Sequence, residues 1–267
     1  MHKHALLSLF MDTLVKKSSR LCVIDTHAGR GAYDLDSPSA QKTSESRNGI
    51  KSLQDKTLPG LSAWLKIIEE EKLYPGSARI ARTFLRPQDR LLMAELHPGE
   101  FGHLQSCFSD DPIAHARMIS GYDLLLESVP PEERRGMVIM DPPYELDQDY
   151  KDAPHHLHLA YKKWPQGVYL LWYPILRTDG ERMRSELLTS LRQTGMHDIL
   201  VSEIRLQGVP AEGFAMHGSG LAIINPTLPE SIVRTASETL ANALVGSTKT
   251  FWLDNVEIAK ETGLVAI

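Results

Sequence analysis

An excess of positive charge is the first thing this sequence lacks: 29 Lys and Arg stand against 34 Asp and Glu, a net charge of −5. That balance excludes a chain held to nucleic acid by overall electrostatic attraction, so any polyanionic partner has to meet a local basic patch. Cysteine is scarce as well. Cys22 and Cys107 sit in unrelated contexts and can build neither a disulfide framework nor a four-ligand zinc site, and a reducing cytoplasm fits. Long apolar runs are missing, since charge or proline interrupts each within about ten residues, short of the roughly 18 that cross a bilayer. The apolar start at residues 5–11 runs straight into Asp12 with no small-residue cleavage site, which reads as an amphipathic helix rather than a signal peptide. Aromatic residues make up 7%, yet 42% of the 267 residues are hydrophobic, enough for one sizeable core.

What is present is a series of short apolar runs, at residues 21–24, 91–94, 137–140, 168–172, 199–204 and 221–224. Most are separated by stretches of helical period, and that alternation predicts an α/β fold with a doubly wound, mostly parallel sheet. The last two runs have only a Gly/Pro-rich loop between them, which predicts an antiparallel hairpin at the sheet edge. The first interval is too long for one crossover helix. Residues 38–72 open polar and then turn helical over 61–73, so we expect a small helical subdomain inserted into a sheet domain formed by 1–37 and 73–267.

Three loops carry candidate chemistry. The first run leads into Asp25-Thr26-His27-Ala28-Gly29-Arg30-Gly31, an acid at a strand end followed by two glycines that let the backbone approach a ligand. Its spacing is neither the dinucleotide fingerprint nor a P-loop. The second run ends at Glu95, whose carboxylate suits the two hydroxyls of a ribose. The third signal is Asp141-Pro142-Pro143-Tyr144 directly after an apolar strand. Two prolines make a stiff loop that presents two acceptors, the Asp141 carboxylate and the Pro142 carbonyl, beside the ring of Tyr144. Two acceptors and a stacking face suit an exocyclic amine on a planar base, with Asp141 also placed to collect the released proton.

In this combination the chain resembles the RlmJ-type 23S ribosomal RNA adenine-N6 methyltransferases. The likeness runs over nearly the whole chain, through Asp25 to Gly29, Tyr74-Pro75-Gly76-Ser77, Glu95-Leu96-His97-Pro98, Arg134-Arg135-Gly136, Asp141 to Glu145 and Leu171-Trp172-Tyr173-Pro174. It implies a Rossmann-like methyltransferase that uses S-adenosylmethionine and no metal. It further implies cofactor contacts from His4, His27, Gly29, Ser77, Glu95, Ser120, Gly121 and Asp141, with Asp141, Pro142 and Tyr144 at the reacting centre. The implied substrate is 23S ribosomal RNA free of ribosomal proteins, met by a monomer in the cytoplasm. DNA-adenine methylation and a catalytically impaired nucleic-acid-binding homologue are the alternatives. The chain departs from the family at Ser120-Gly121, where the family has Asp-Gly, and it begins almost at the Lys3-His4 helix, ahead of which family members carry a His- and aromatic-rich segment.

Other features are read more plainly. His155-His156-x-His158 is expected to be a solvated patch, Asn225-Pro226-Thr227-Leu228 the turn ending the hairpin, and Trp172-Tyr173-Pro174 a core strand end with one ring open to the base pocket. Basic residues gather at Arg79, Arg82, Arg86 and Arg90, at Arg134 and Arg135, and at Lys162 and Lys163. Arg79, Arg82 and Arg86, with the inserted subdomain, form the expected RNA surface.

Overall fold

Alternation along the strands decides how the layers stack. Val23, Met137, Ile139 and Leu170 point to one face of the sheet and share a core with Leu6, Phe10, Trp64, Ile80 and Val233, whereas Ile24, Val138, Met140, Tyr169 and Leu171 share the opposite core with Leu124, Leu157 and Leu188. Central strands buried on both faces read as unbroken apolar runs, which is why they are legible in the sequence.

The computed structural model describes residues 1–35, 50–53, 58–71, 73–176, 180–208 and 216–253. In chain order the elements are α1 (His2–Leu14), β1 (Cys22–Asp25), β2 (Ala32–Tyr33), a 3-10 turn (Ile50–Leu53), α2 (Ser62–Glu70), β3 (Tyr74–Pro75), α3 (Ser77–Phe84), β4 (Arg90–Ala94), α4 (Pro98–Cys107), β5 (Ala114–Arg117), α5 (Gly121–Ser128), β6 (Gly136–Met140), α6 (Asp149–Lys163), β7 (Val168–Leu176), α7 (Gly180–Gln193), β8 (Ile199–Leu206), β9 (Met216–Ile224), α8 (Glu230–Ala243) and β10 (Gly246–Trp252). Eight strands form one sheet in the order β10-β8-β9-β7-β6-β1-β4-β5, and β2 pairs with β3 in a separate ribbon. From β7 to β5 all neighbours are parallel. Beyond β7 the pairing with β9, β8 and β10 is antiparallel.

Several expectations are revised. The hairpin of β8 and β9 exists, but β10 covers β8, so the hairpin lies one strand in from the edge. The two edge strands, β5 and β10, escaped notice because each alternates buried with exposed residues and has no continuous apolar run. α1 is buried nearly all round, packed against α2, α3, α8 and β9, so its sequence lacks a polar face for a physical reason. Burying Leu6, Leu7, Phe10 and Met11 contributes about 1.5–3 kcal/mol each and makes this helix a core element. Of the histidines expected in a solvated patch, all lie on α6 and only His155 is exposed, whereas His156 stacks on Tyr122 and His158 is half-buried. Of the expected insertion, 38–49, 54–57 and 72 lie outside the described residues, while Ile50, Leu53, Leu61, Trp64 and Ile67 join the same core as α1.

Candidate active site

Register brings the three loops together. Asp25 in β1 stands level with Met93 in β4 and Ile139 in β6, so the glycine loop, Glu95 and Asp141 all emerge from the same end of adjacent parallel strands. The glycine loop is then sewn to its neighbours: the Thr26 amide and hydroxyl donate to the Ile139 carbonyl at 3.0 and 3.1 Å, and the Ala28 amide donates to the Ala94 carbonyl at 3.0 Å. Gly121 is forced by a close approach, because a Cβ there would sit 1.9 Å from the Thr26 carbonyl oxygen. That approach carries Ser120, Gly121 and Tyr122 to the rim of the same loop.

Asp25 is fully buried and accepts a 2.6 Å hydrogen bond from Ser77 Oγ at the start of α3. Burial raises its pKa to about 6, against the opposing pull of Lys3 and of the Ser77 bond. Ser77, expected as a cofactor contact, is thus brought to the site with its hydroxyl committed to Asp25. His27 stands 2.7 Å from Thr26 Oγ1. Since the threonine gives its proton to Ile139, the ring must donate from Nδ1, leaving Nε2 as an acceptor. Burial lowers the His27 pKa to about 4, so the ring is neutral near pH 7. His4 is buried and meets the Tyr74 hydroxyl at 2.8 Å, and burial holds it neutral too.

Motif reading missed the residue that ties the site together. Lys3 forms an ion pair with Asp141 through Oδ2, across 138 residues of chain. Burial works against the lysine's charge, but Asp141 and the nearby Asp25 prevail and raise its pKa. A lysine two positions into a helix carries no local signal; only the packing of α1 against the sheet reveals it. Asp141 keeps Oδ1 free of that pair.

The rest of the Asp-Pro-Pro-Tyr loop departs from expectation. Tyr144 is only 5% exposed, takes a positive φ of 52°, and donates its hydroxyl to the Trp172 carbonyl at 2.6 Å. Its ring packs on Tyr150 and Trp172, so the stacking face expected for a base is turned inward. Tyr173 is buried and donates to Glu203, which leaves the half-buried Trp172 as the ring of that strand end near the loop. Pro142 is buried and Pro143 exposed.

The expected RNA surface is neutralised. Arg79 makes a bidentate pair with Glu71, Arg82 pairs with Asp111, and Arg86 pairs with Asp89 while donating to the carbonyls of Val15, Lys17 and Ser19. Arg90 pairs with Glu133, and Arg135 holds Ser19 and the Leu14 carbonyl. Helical spacing placed these arginines on a line; the carboxylates that meet Arg79, Arg82 and Arg90 come from elsewhere in the chain, and Asp89 meets Arg86 from within the same turn. They act as staples.

A family model described as ribosomal RNA large subunit methyltransferase D, RlmJ, matches residues 18–254. The chain belongs to this family. It is 35% identical over 266 residues to the ribosomal RNA large subunit methyltransferase J of Haemophilus influenzae, covering 94% of this chain and 93% of that one. Its counterpart in Escherichia coli is 37% identical over 234 residues, covering 84% and 81%. The crystal structure of a Legionella pneumophila protein matches with a TM-score of 0.84 at 30% identity, over 94% of this chain and 95% of that one. The protein is therefore a methyltransferase enzyme with a Rossmann-like fold. Among its described residues no helix is long and apolar enough to cross a membrane.

The residues of this methyltransferase fit S-adenosylmethionine. Glu95 is half-buried and forms no ion pair among the described residues; one oxygen accepts from the His97 amide at 2.7 Å. Next to it Leu96 is 65% exposed and offers an apolar surface beside the carboxylate. The Glu95 amide bonds the Arg117 carbonyl of β5, which leads to Ser120, so these groups border one crevice. There the Ser120 side chain makes no cap hydrogen bond, while Tyr122, one turn on, packs between His27 and His156 with its hydroxyl buried and unpartnered among the described residues. A carboxylate, an apolar face and the Ser120 hydroxyl suit a nucleoside.

Proposed function

We propose that this methyltransferase transfers the methyl group of S-adenosylmethionine to N6 of an adenine in 23S ribosomal RNA. The observation that carries the reading is the Asp141 carboxylate, emerging beside the glycine loop with one oxygen held by Lys3 and the other without a hydrogen bond among the described residues. Glu95 would hold the cofactor's ribose, Leu96 would cover its adenine, and Ser120, standing in for the family's aspartate, would offer its hydroxyl to the adenine's edge, while Tyr122, set between His27 and His156, borders the end nearer Asp141. His4, His27, Gly29 and the Asp25–Ser77 pair belong to the end nearer Lys3 and Asp141. The bound cofactor supplies an electrophilic methyl group on a sulfonium.

The protein's part is positioning and proton handling. Asp141 Oδ1 accepts one N–H of the target amine and the Pro142 carbonyl accepts the other, which gathers the nitrogen lone pair on the side facing the methyl group. As the new N–C bond replaces the methyl group's bond to sulfur, whose electron pair stays with the departing thioether, the surplus proton would pass from that nitrogen to Asp141. Lys3 fixes the carboxylate's orientation throughout. Tyr144 acts through its neighbour Trp172, whose carbonyl its hydroxyl holds. The substrate is protein-free 23S RNA, whose exposed adenines unstack cheaply, met by a monomer in the cytoplasm. Incubating deproteinised 23S RNA with labelled S-adenosylmethionine and digesting to nucleosides should yield N6-methyladenosine. Methylation confined to duplex DNA would overturn this reading.

A further inference from the structure

Three consecutive residues in the first turn of α1 reach in three directions. His4 meets Tyr74, Lys3 meets Asp141, and the buried His2 turns toward the β8–β9 hairpin, with Nε2 3.1 Å from Ser202 Oγ and Nδ1 3.2 Å from Ser219 Oγ. Counting protons fixes the direction of each bond. Ser237 Oγ in α8 donates to the Val233 carbonyl at 2.8 Å, so at 2.7 Å from Ser202 Oγ it can only accept. Ser202 therefore spends its hydrogen on Ser237 and accepts from the Nε2–H of His2. With the proton on Nε2, Nδ1 is the acceptor and Ser219 donates. Both ring nitrogens are satisfied, in the neutral form that burial favours.

The same turn of α1 is held by the Lys3–Asp141 and His4–Tyr74 contacts, with no side-chain cap hydrogen bond at its N-cap and no acidic residue, so its setting depends on what residues 2 to 4 reach. We propose that His2 is a positioning residue for catalysis: its clamp on Ser202 and Ser219 fixes the rotation and height of the first turn of α1, so that the neighbouring Lys3 reaches Asp141. The inference rests on the reading of Asp141 as the group that receives the target amine.

The test is a cycle of His2→Ala, Lys3→Ala and the double variant, with His2→Gln retaining an N–H donor toward Ser202. Each single alanine change should lower kcat on 23S RNA by about 10- to 100-fold, the scale of a misplaced catalytic contact, with S-adenosylmethionine affinity nearly unchanged. The double variant should be no slower than the slower single one, because both changes remove the same contact, and His2→Gln should recover part of the rate. Losses that multiply in the double variant, or a His2→Ala rate near wild type, would overturn the proposal. Ser219→Ala takes the place of His2→Ala in the cycle if that variant does not fold. A crystal structure of the variant separates this proposal from the functional reading: Lys3 displaced from Asp141 supports the clamp even if the wild type turns out inactive on RNA, and Lys3 still paired with Asp141 refutes it.

Discussion

The two ends of the crevice are built in different ways. At the proposed cofactor end, Glu95, Leu96 and Ser120 come from turns that directly follow β4 and β5, and their functional atoms are largely uncommitted. At the proposed target end, Lys3, Asp25, His27, Asp141 and Tyr144 come from three separate stretches of chain, and most are tied to protein partners. The cofactor end is open and local. The target end is assembled by tertiary packing, so it should respond to changes in α1 that leave the cofactor end untouched.

The largest expected effect falls at the target end. Asp141→Ala should reduce methyl transfer by about two to four orders of magnitude, the range for losing one preorganised group at a reacting centre. Calorimetry should find S-adenosylmethionine affinity nearly intact, since Lys3 can turn to the neighbouring Asp25 and the cofactor end keeps its groups. A variant methylating near the wild-type rate would remove Asp141 from the centre. Next comes the cofactor end: Glu95→Ala should weaken S-adenosylmethionine by about 1.5–3 kcal/mol, the range for hydrogen bonds to a charged group. Saturating cofactor should restore most of kcat. Unchanged affinity would mean that the ribose lies elsewhere.

The same contrast explains what the sequence made legible. Asp25, Glu95 and Asp141 each end an apolar strand, a position that pattern alone identifies, and the parallel order of those strands places them side by side. Lys3 could not be read, because its partner is 138 residues away and nothing near it in sequence differs from an ordinary helix start. The arginine row failed in the opposite sense: spacing revealed the line, but Glu71, Asp111 and Asp89 cancel it from outside α3. Tyr144 was legible as an aromatic after two prolines, yet its inward turn depends on the Trp172 carbonyl. β5 and β10 stayed hidden because edge strands are solvated on one side and lose the apolar signature.

Acid should act mainly on the target end. His2, His27 and His4 are neutral in the folded protein, with pKa values of about 3, about 4 and well below 6.5, while in the unfolded chain each takes up a proton near 6.5. As pH falls from 6.5 through 4, the unfolded state gains protons that the folded state refuses, and stability drops. Asp25 works the other way: its raised pKa of about 6 favours the folded state at low pH, and that contribution is lost as pH rises from 3.8 through 6. Three histidines against one aspartate leave a net loss on acidification. The melting temperature should therefore be lower at pH 5 than at pH 7, and His27→Gln should flatten the slope. An unchanged slope would mean that His27 is not the buried neutral ring described.

The smallest effect distinguishes a staple from a substrate contact. Arg86 sits on the row where RNA was expected, yet its guanidinium holds Asp89 and three carbonyls of the 15–19 segment, and Asp89 in turn accepts from the Leu21 amide at the entry to β1. Asp89 is buried, a cost that its bonds to Arg86 outweigh, holding its pKa below the usual value. Removing the arginine would leave that carboxylate short of partners beneath the strand that carries the glycine loop. Arg86→Ala should accordingly lower the melting temperature by several degrees while the Michaelis constant for RNA and its salt dependence stay as they were. Lys162, exposed near the end of α6 with no carboxylate partner among the described residues, is the control: Lys162→Gln should leave melting unchanged. If Arg86→Ala instead reduces the slope of RNA affinity against salt by about one phosphate contact with little change in melting, the row binds RNA after all and the staple assignment falls.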